Sequence, residues 1–392
     1  MNILVVAPHP FLAPRGTPFS VYYRTLVMAE HGARVDVLTY GSGQDVDVPG
    51  VQVRRIPRLR ALEPVPVGPS WQKALLDVLM VVWTIGLLLR HRYDAVHAHE
   101  EAVFWCRFLK PVFRFKLIYD MHSSLPQQLG NFGYTNSRLL IGMFRWLETT
   151  SLQAADVVVT ICPALQDFAM AKGVLPRSLL LIENSIFDDV RLQRPAQADS
   201  GGSTHGAMPF APDGRVILYA GTFEVYQGVE LLVEAFAQVA AVVPDARLLL
   251  VGGSEEQVQR LRGLVATRGL SDKCQLTGQV PKAVAARFTR AASVLVSPRL
   301  HGSNTPLKIY EQLASGRPLV ATRIDAHTQV LDDSVCWLVA PDPASLAAGL
   351  TAALTDRRAA EERSLNAAEL YRRRYSRPVY EGKIRQLLEL VG

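Results

Sequence analysis

A lysine and a glutamate three residues apart, Lys308 and Glu311, have the types and spacing to bind a charged ligand. On a helix the two side chains share one face. A cation in the first turn of a helix opposes the helix dipole, so it is favourable only where it meets an anion. A carboxylate one turn further along can accept hydrogen bonds from ribose hydroxyls. The alternative is a surface ion pair, worth less than about 1 kcal/mol.

The residues just before this pair predict a helix start that could hold a diphosphate. Asn304 or Thr305 is a favourable N-cap. Pro306 suits the first helical position, and Gly316 is placed to end the helix. Because the first turn of a helix has free backbone N–H groups and a positive dipole end, it attracts phosphate groups.

Further candidates for this phosphate-bearing ligand follow other apolar strands, because the loops after parallel strands carry the ligand sites. Arg299, in the loop before the predicted helix, offers a second cation.

In the first half of the chain, His122 follows the apolar run 117–119 and is expected at the ligand edge of its sheet. Asp120 could orient its imidazole ring. His97 and His99 follow another strand, where a two-histidine metal site is the less favoured alternative, and no metal ligand is assigned. The residues predicted to face the second substrate are Arg15, Thr17, Glu100 and Glu101.

These residues need strands and helices to position them, and the sequence predicts both. Short apolar runs alternate with longer helical segments, a pattern typical of parallel sheets covered by helices on both faces. Helices are predicted at residues 20–31 and 163–172. Strands are predicted at 2–7, 34–39, 51–55, 95–98, 117–119, 157–160, 179–182, 215–220, 247–251, 274–276, 293–296, 318–321 and 336–338.

A stretch rich in Gln, Ser, Gly and Pro interrupts this pattern between Arg191 and Gly214 and is typical of a linker. We therefore predict an N-terminal domain at 1–195, a linker at 196–214 and a second domain at 215–375. A final helix is expected at 376–392. The predicted fold class is α/β, with two doubly wound Rossmann-like domains facing each other across a cleft.

The composition excludes several classes of protein. At 392 residues, 49% of them hydrophobic, the chain is long enough for two folded domains. Its four cysteines are far apart, which indicates neither a disulfide framework nor a zinc site. The N-terminal run Ile3–Ala7 is too short for a signal peptide and predicts a buried strand in a cytoplasmic protein.

Positive charge is concentrated between Arg54 and Lys116, where eleven basic residues stand against five acidic ones. The same stretch holds the apolar run Ala74–Leu89, which is interrupted by Asp77 and too short to span a bilayer. The run could form a buried core helix or a helix lying in a membrane interface. No nucleic-acid-binding motif accompanies the charge, so an anionic membrane or a merely solvated basic face remain.

The segment Thr305-Pro-Leu-Lys-Ile-Tyr-Glu311, followed by Ala314-Ser-Gly-Arg-Pro318, resembles the signature of retaining glycosyltransferase family 4. The resemblance covers the whole chain and implies the GT-B fold, in which the last helix crosses back onto the first domain. It implies that Glu311 holds the ribose of a nucleotide-sugar donor and that residues 304–307 wrap its diphosphate. The residues that the resemblance places at the donor are Gly16, Gly221, Thr222, Gln227, Gly252, Arg299, Ser303, Asn304, Thr305, Pro306 and Leu307. It further implies that His122 contacts the donor phosphate or the acceptor.

Three positions depart from the family pattern. The first glutamate of the family signature is replaced by Ser303, and Thr222 and Gln227 stand where two cations usually meet the diphosphate. Lys308 and Arg299 would then have to supply the positive charge. The departures leave two alternatives to a transferase open: a non-catalytic partner subunit, and a nucleotide-sugar epimerase, which needs groups suited to proton abstraction.

The predicted function is transfer of a sugar from a nucleotide diphosphate to a lipid-linked or glycan acceptor, with retention, in cell-surface polysaccharide or glycolipid synthesis. The leaving diphosphate would be stabilised by the helix N-terminus and Lys308. We expect no required cofactor. The expected location is the cytoplasm, at the inner face of the cell membrane, with peripheral binding to anionic lipid and no nucleic-acid partner.

Overall fold

The computed structural model describes residues 1–12, 16–43, 47–63, 65, 70–124, 137–184, 210 and 214–392. The chain forms two compact units. The first comprises Met1–Gln193 together with Arg377–Gly392, and the second comprises Arg194–Ser376. Arg15 and most of the predicted linker lie outside the described residues.

The first unit is built on a parallel sheet. Its strands are β1 (Asn2–Ala7), β2 (Arg34–Thr39), β3 (Val51–Arg55), β4 (Ala95–His99), β5 (Lys116–Met121), β6 (Val157–Thr160) and β7 (Leu179–Leu181). The strand order across the sheet is β3-β2-β1-β4-β5-β6-β7, and neighbouring strands are parallel. The central strands are buried on both faces, which explains their nearly continuous apolar sequences.

The helices of the first unit cover both faces of this sheet. They are α1 (Gly16–Glu30), α2 (Trp71–Arg90), α3 (Val103–Phe113), α4 (Arg138–Ala154) and α5 (Pro163–Ala171), with short 3₁₀ helices at Arg60–Leu62, Glu100–Ala102 and Pro176–Ser178. α2 begins at a capped end, because the Ser70 hydroxyl accepts a hydrogen bond from the Lys73 backbone at 3.2 Å.

The second unit repeats this plan. Its strands are β8 (Arg215–Ala220), β9 (Ala246–Val251), β10 (Cys274–Gly278), β11 (Val294–Ser297), β12 (Leu319–Thr322) and β13 (Trp337–Val339), in the order β10-β9-β8-β11-β12-β13. Its helices are α6 (Val229–Val242), α7 (Glu255–Thr267), α8 (Lys282–Ala291), α9 (Leu307–Ala314), α10 (Asp325–Thr328), α11 (Pro343–Thr355) and α12 (Arg357–Arg374), with a 3₁₀ helix at Val225–Gln227.

In both units the first strand lies inside the sheet and the chain winds outward on either side of it. This is the doubly wound arrangement, so the predicted α/β class with two Rossmann-like domains is confirmed. The predicted strands are all present, and their ends differ by at most two residues from those observed.

Two helices begin at residues other than those predicted. α1 starts at Gly16, four residues before the predicted start at Ser20. α9 starts at Leu307, while Pro306 is its N-cap with an extended ψ of 138°. The proline ring fixes φ but leaves ψ free, so Pro306 fits the extended cap as readily as the first helical turn.

The C-terminal helix, α13 (Arg377–Val391), belongs to the first unit. Its buried side chains are Tyr380, Ile384, Leu387 and Val391, spaced by three or four residues along one face. They pack with residues of β1 and α1 in one apolar cluster. The first unit is therefore completed by the last residues of the chain.

Candidate active site

The second unit brings several loops together at one edge of its sheet. β8 lies between β9 and β11, so the connections that follow β8 and β11 lead in opposite directions. Such a switch point opens a crevice at the carboxyl ends of the strands. The two loops meet there, because the Leu300 backbone N–H donates to the Tyr226 carbonyl at 2.9 Å.

Lys308 joins the first turn of α9 to the loop after β8. Its ammonium group donates to the Gln227 side-chain oxygen at 3.1 Å and lies 4.2 Å from the centre of the Tyr219 ring. A side chain on Gly221 would come within 3.5 Å of this ammonium group. Burial, followed by the charge of Arg299, lowers the pKa of Lys308 to about 7. A nearby anion would restore its ordinary charge.

Arg299 organises the loop between β11 and α9. Its guanidinium donates to the backbone oxygens of His301 at 2.9 Å and Asn304 at 3.3 Å, and it lies 5.1 Å from the Tyr226 ring centre. Burial lowers the pKa of Arg299. Two partly desolvated cations beside a helix N-terminus form a site suited to a phosphate-bearing ligand.

Glycines allow the loops at this edge to approach one another closely. Gly228 has φ of +70°, and a Cβ there would lie 1.9 Å from the Pro298 oxygen. Gly252 has φ of +117°, and a Cβ there would lie 1.9 Å from the Gly221 oxygen. Since no side chain fits at either position, backbone contacts fix the distance between these loops.

The other residues predicted on this side have varied surroundings. Glu311 is exposed, and its carboxylate lies 4.0 Å from the Lys282 ammonium group. Ser303 is exposed, and its carbonyl accepts from Gln329 at 2.5 Å. Thr222 is also exposed, with its carbonyl bonded to the Tyr219 hydroxyl at 2.7 Å. Within the described part of the chain, the buried Thr305 hydroxyl has no hydrogen-bond partner.

A buried histidine near this edge was missed by the sequence analysis. His327 lies 3.0 Å from the Ser297 hydroxyl and 2.7 Å from the Thr322 carbonyl, so it ties the ends of β11 and β12 together. Burial lowers its pKa to about 4. The ring is therefore neutral at pH 7, and its part is structural. A lone histidine in a helical stretch gives no sequence signal of this position.

The first unit holds a buried polar cluster around Asp120, at the end of β5. The carboxylate is ion-paired with Arg24 of α1 and lies 2.9 Å from the His97 Nε2. His99 and His122 each lie 3.3 Å from the same carboxylate, and their rings are joined by a 3.2 Å contact. His122, predicted at the ligand edge, is only 3% exposed.

The three histidines of this cluster are neutral at pH 7. Burial lowers the pKa of His97 to about 3, and the positive charge of Arg24 contributes. Burial also holds the pKa of His99 and that of His122 well below the ordinary value. Each ring therefore has one donor nitrogen and one acceptor nitrogen.

Metal binding at this cluster is not supported by its contacts. His97, His99 and Asp120 offer donor atoms within 4.8 Å of one another. The Asp120 carboxylate, however, is already ion-paired with the buried Arg24. A divalent cation beside a buried guanidinium would be strongly repelled. The cluster is better explained as a hydrogen-bonded histidine network, and we assign no metal to it.

Glu100 and Glu101 lie in a second charged cluster of the first unit. Lys73 of α2 pairs with Glu101 at 2.5 Å, and the Tyr40 hydroxyl donates to Asp77 at 2.5 Å. Burial raises the pKa of Glu100 to about 7 and that of Asp77 to about 7. The predicted residues Gly16 and Thr17 form the start of α1.

Comparison with known proteins decides the family. A profile described as "Glycosyl transferase 4-like domain" matches residues 25–185, and one described as "Glycosyl transferases group 1" matches 214–356. A phosphatidyl-myo-inositol mannosyltransferase from Mycobacterium tuberculosis is 31% identical over 405 residues, covering 100% of this chain and 97% of the relative. The chain belongs to glycosyltransferase family 4.

Solved structures support the GT-B fold. Sucrose-phosphate synthase from Thermosynechococcus elongatus has a TM-score of 0.74 at 22% identity, covering 99% of this chain and 98% of that one. Anabaena HepE in complex with UDP-glucose has a TM-score of 0.67 at 16% identity and covers 99% of both chains. The predicted fold and the predicted glycosyltransferase class are confirmed.

This glycosyltransferase exposes an apolar stripe along α2. Five side chains spaced by three, four or seven residues are 47 to 72% exposed: Trp71, Leu75, Val78, Val82 and Leu89. The opposite face of α2 is packed into the first unit through Leu76, Met80 and Leu87. The apolar run Ala74–Leu89 fits either a core helix or an interfacial helix, and α2 has the two different faces of an interfacial helix.

Two neighbouring helices extend this surface. Phe108 and Val112 of α3 are 59% and 70% exposed, and Met143 and Trp146 of α4 are also exposed. The Arg107 guanidinium lies 4.2 Å from the Phe108 ring and 4.8 Å from the Trp146 ring, which connects the two helices. We call the exposed apolar side chains of α2, α3 and α4 the three-helix surface.

Within the part of the chain that the structure describes, two helical segments, Trp71–Arg90 and Val225–Val242, are long and apolar enough to cross a membrane by length and composition. The second carries α6, whose apolar side chains pack into the core of the second unit. The first is α2, which is held by one face against the first sheet. Their packing favours a core helix for α6 and a surface helix for α2.

Proposed function

We propose that this glycosyltransferase moves a sugar from a nucleoside diphosphate sugar to a membrane lipid, with retention of the anomeric configuration. The observation that supports binding of the sugar donor is the contact of Lys308 with Gln227 above the Tyr219 ring. This contact lies at the switch point of the second sheet, where a doubly wound sheet binds its ligand.

The donor is held by the residues around the start of α9. Its diphosphate lies along the backbone of residues 304–307 and meets Lys308 and Arg299. The exposed Glu311 carboxylate accepts hydrogen bonds from the ribose. The buried Thr305 hydroxyl, which has no partner among the described residues, supports a ligand contact at this point. The UDP-glucose bound to Anabaena HepE supports a nucleotide sugar as donor.

Bond cleavage depends on stabilising the charge that develops on the diphosphate. Lys308 and the first N–H groups of α9 are already in place to stabilise this charge before the reaction begins. Their positions therefore need to change little during bond cleavage. The departing phosphate oxygen takes the proton of the acceptor hydroxyl, and the new bond forms on the face that the diphosphate leaves. No metal is needed for these steps.

The acceptor is bound by the first unit. We propose that His122 contacts the reacting groups through its neutral ring and that Arg15, Thr17, Glu100 and Glu101 face the acceptor. The relative named as a phosphatidyl-myo-inositol mannosyltransferase supports a lipid acceptor. The three-helix surface supports peripheral binding to the inner face of the cell membrane.

Replacement of Lys308 tests the donor site. Lys308→Met keeps the length of the side chain but removes its charge, so kcat is expected to fall about 100-fold or more. Release of UDP or GDP from UDP-glucose or GDP-mannose is measured with phosphatidylinositol vesicles as the acceptor. The matched control is Lys273→Met in the same unit, where the ammonium group donates to the Ala240 carbonyl at 3.3 Å. Equal rates for Lys308→Met and the unaltered protein would remove Lys308 from the reaction.

The same assay separates the other two hypotheses. Tight nucleotide binding without turnover for every donor would favour a non-catalytic partner subunit. Conversion of the donor sugar without transfer would favour an epimerase. NMR of the product gives its anomeric configuration, and an inverted product would contradict retention.

A further inference from the structure

Arg24 is a fully buried arginine that the proposed reaction does not use directly. It lies on α1, and its guanidinium is ion-paired with Asp120. A second nitrogen donates to the Ile182 carbonyl at 2.7 Å. A charge with no exposed surface is costly unless partners compensate it, so these contacts must be close and well ordered.

The third partner of Arg24 comes from the end of the chain. The Tyr380 hydroxyl of α13 forms a side-chain hydrogen bond with Arg24, and Tyr380 is itself 4% exposed. Two ion pairs attach the same helix at its rim, Arg377 to Glu30 and Lys383 to Glu183. Of these three residues, Tyr380 is the one that bonds Arg24 directly in the described contacts of the helix.

We propose that Arg24, held by Tyr380 and the Ile182 carbonyl, is a positioning residue that fixes Asp120 against the histidines and so sets the orientation and proton of the His122 ring. This inference rests on the proposed function, because it assigns His122 to the reaction. It makes the C-terminal helix part of the machinery of the first unit.

The charges around His122 explain why Arg24 matters. The groups that face the cluster are Arg24 from α1, His9 after β1, His97 and His99 from β4, Asp120 from β5, Glu183 after β7 and Tyr380 from α13. Arg24 is the cation that balances the Asp120 carboxylate. Without it, a proton enters the cluster on an imidazole or is shared with Asp120. A protonated His122 ring has two donors and no acceptor.

Three variants test the proposal by imidazole NMR and by kinetics. Arg24→Met removes the charge, Tyr380→Phe removes only the hydroxyl, and Arg24→Lys keeps the charge but loses the planar fork. In the unaltered protein the imidazole chemical shifts of His97, His99 and His122 are expected to stay constant between about pH 5 and pH 8. In Arg24→Met at least one of these rings is expected to titrate in this range. In Arg24→Lys the chemical shifts are expected to be constant again.

Kinetics give the second measurement. Tyr380→Phe is expected to lower kcat about three- to tenfold with the donor KM unchanged, since the donor site lies in the second unit. Arg377→Gln, which removes a rim ion pair of the same helix, is the matched control and is expected to leave kcat unchanged.

Silent histidines and full kcat in a folded Arg24→Met protein would overturn the proposal. If that variant does not fold, Tyr380→Phe decides alone, and unchanged kcat and imidazole shifts would overturn it. If the unaltered protein transfers no sugar from any donor, the proposed function fails, whereas the NMR titration still tests the positioning of the cluster.

Discussion

Lys308 keeps its ammonium group partly out of water and near Arg299, and these surroundings lower its pKa to about 7. A bound diphosphate favours the protonated form, so donor binding takes up a proton above pH 7. Below about pH 6 the group is already protonated, and affinity is expected to be constant. Above pH 7 affinity is expected to fall by up to about tenfold per pH unit.

Calorimetry with UDP-glucose and GDP-mannose checks this pH dependence. Proton uptake is obtained from titrations in buffers with different heats of ionisation. The control is Lys308→Arg, because an arginine stays charged and should give a flat profile over the same range. An unaltered protein whose affinity does not change between about pH 6 and pH 9 would contradict the expected protonation of Lys308.

Single residues differ in how far the sequence reveals their contacts. Lys308 and Gln227 could be expected near one another, because both follow strands whose carboxyl ends meet at one edge. Arg24 was overlooked, although it lies on the apolar face of α1 between Val21 and Met28. A charged residue at an apolar-face position of a helix predicts a buried charge. No sequence pattern, however, identifies Tyr380 as the partner of Arg24.

Among the helices, α2 is predicted to contact a membrane through its exposed apolar stripe. Val78→Glu and Val82→Glu place carboxylates at side chains that are 60% and 56% exposed. If this stripe enters the lipid interface, each charge must be taken out of water, and the double variant is expected to lose most vesicle binding. Co-sedimentation with phosphatidylglycerol vesicles measures the effect.

Val242→Glu is the matched control for this experiment. Val242 is 68% exposed on α6 of the second unit, so the same substitution there should leave vesicle binding unchanged. Binding to phosphatidylcholine vesicles separates the apolar contribution from attraction to anionic lipid. Equal vesicle binding by the unaltered protein, the double variant and Val242→Glu would exclude the stripe on α2 as the membrane contact.

Strands were predicted well because their sequences are short, nearly continuous apolar runs, as a strand buried on both faces requires. Helix starts were predicted less well. Pro306 fits a cap or a first turn, and only the packed loop selects the cap. The exposed apolar side chains of α4 gave no clear sequence signal, because helical periodicity does not tell which face meets the sheet.

Over the whole molecule, the doubled α/β pattern predicted two Rossmann-like domains, whereas the order of strands in each sheet comes from the structure. The sequence alone could not assign α13 to the first unit, because no local pattern links residue 380 to residue 24. The family resemblance supplied that expectation. The buried polar cluster needs both ends of the chain, which short-range patterns do not describe.

The C-terminal helix should therefore stabilise the first unit, and two leucines on it allow a matched test. Leu387 is fully buried, whereas Leu390, three residues further on, is 39% exposed. Leu387→Ala leaves a cavity and is expected to lower the free energy of unfolding by about 2–4 kcal/mol. Leu390→Ala is expected to lower it by less than about 1 kcal/mol.

Denaturant unfolding measures both, with UDP-glucose and GDP-mannose binding as a check on the second unit. Because the helix packs on the first unit, nucleotide affinity should stay the same in both variants. Similar destabilisation by the two substitutions would mean that α13 is not anchored through its buried face.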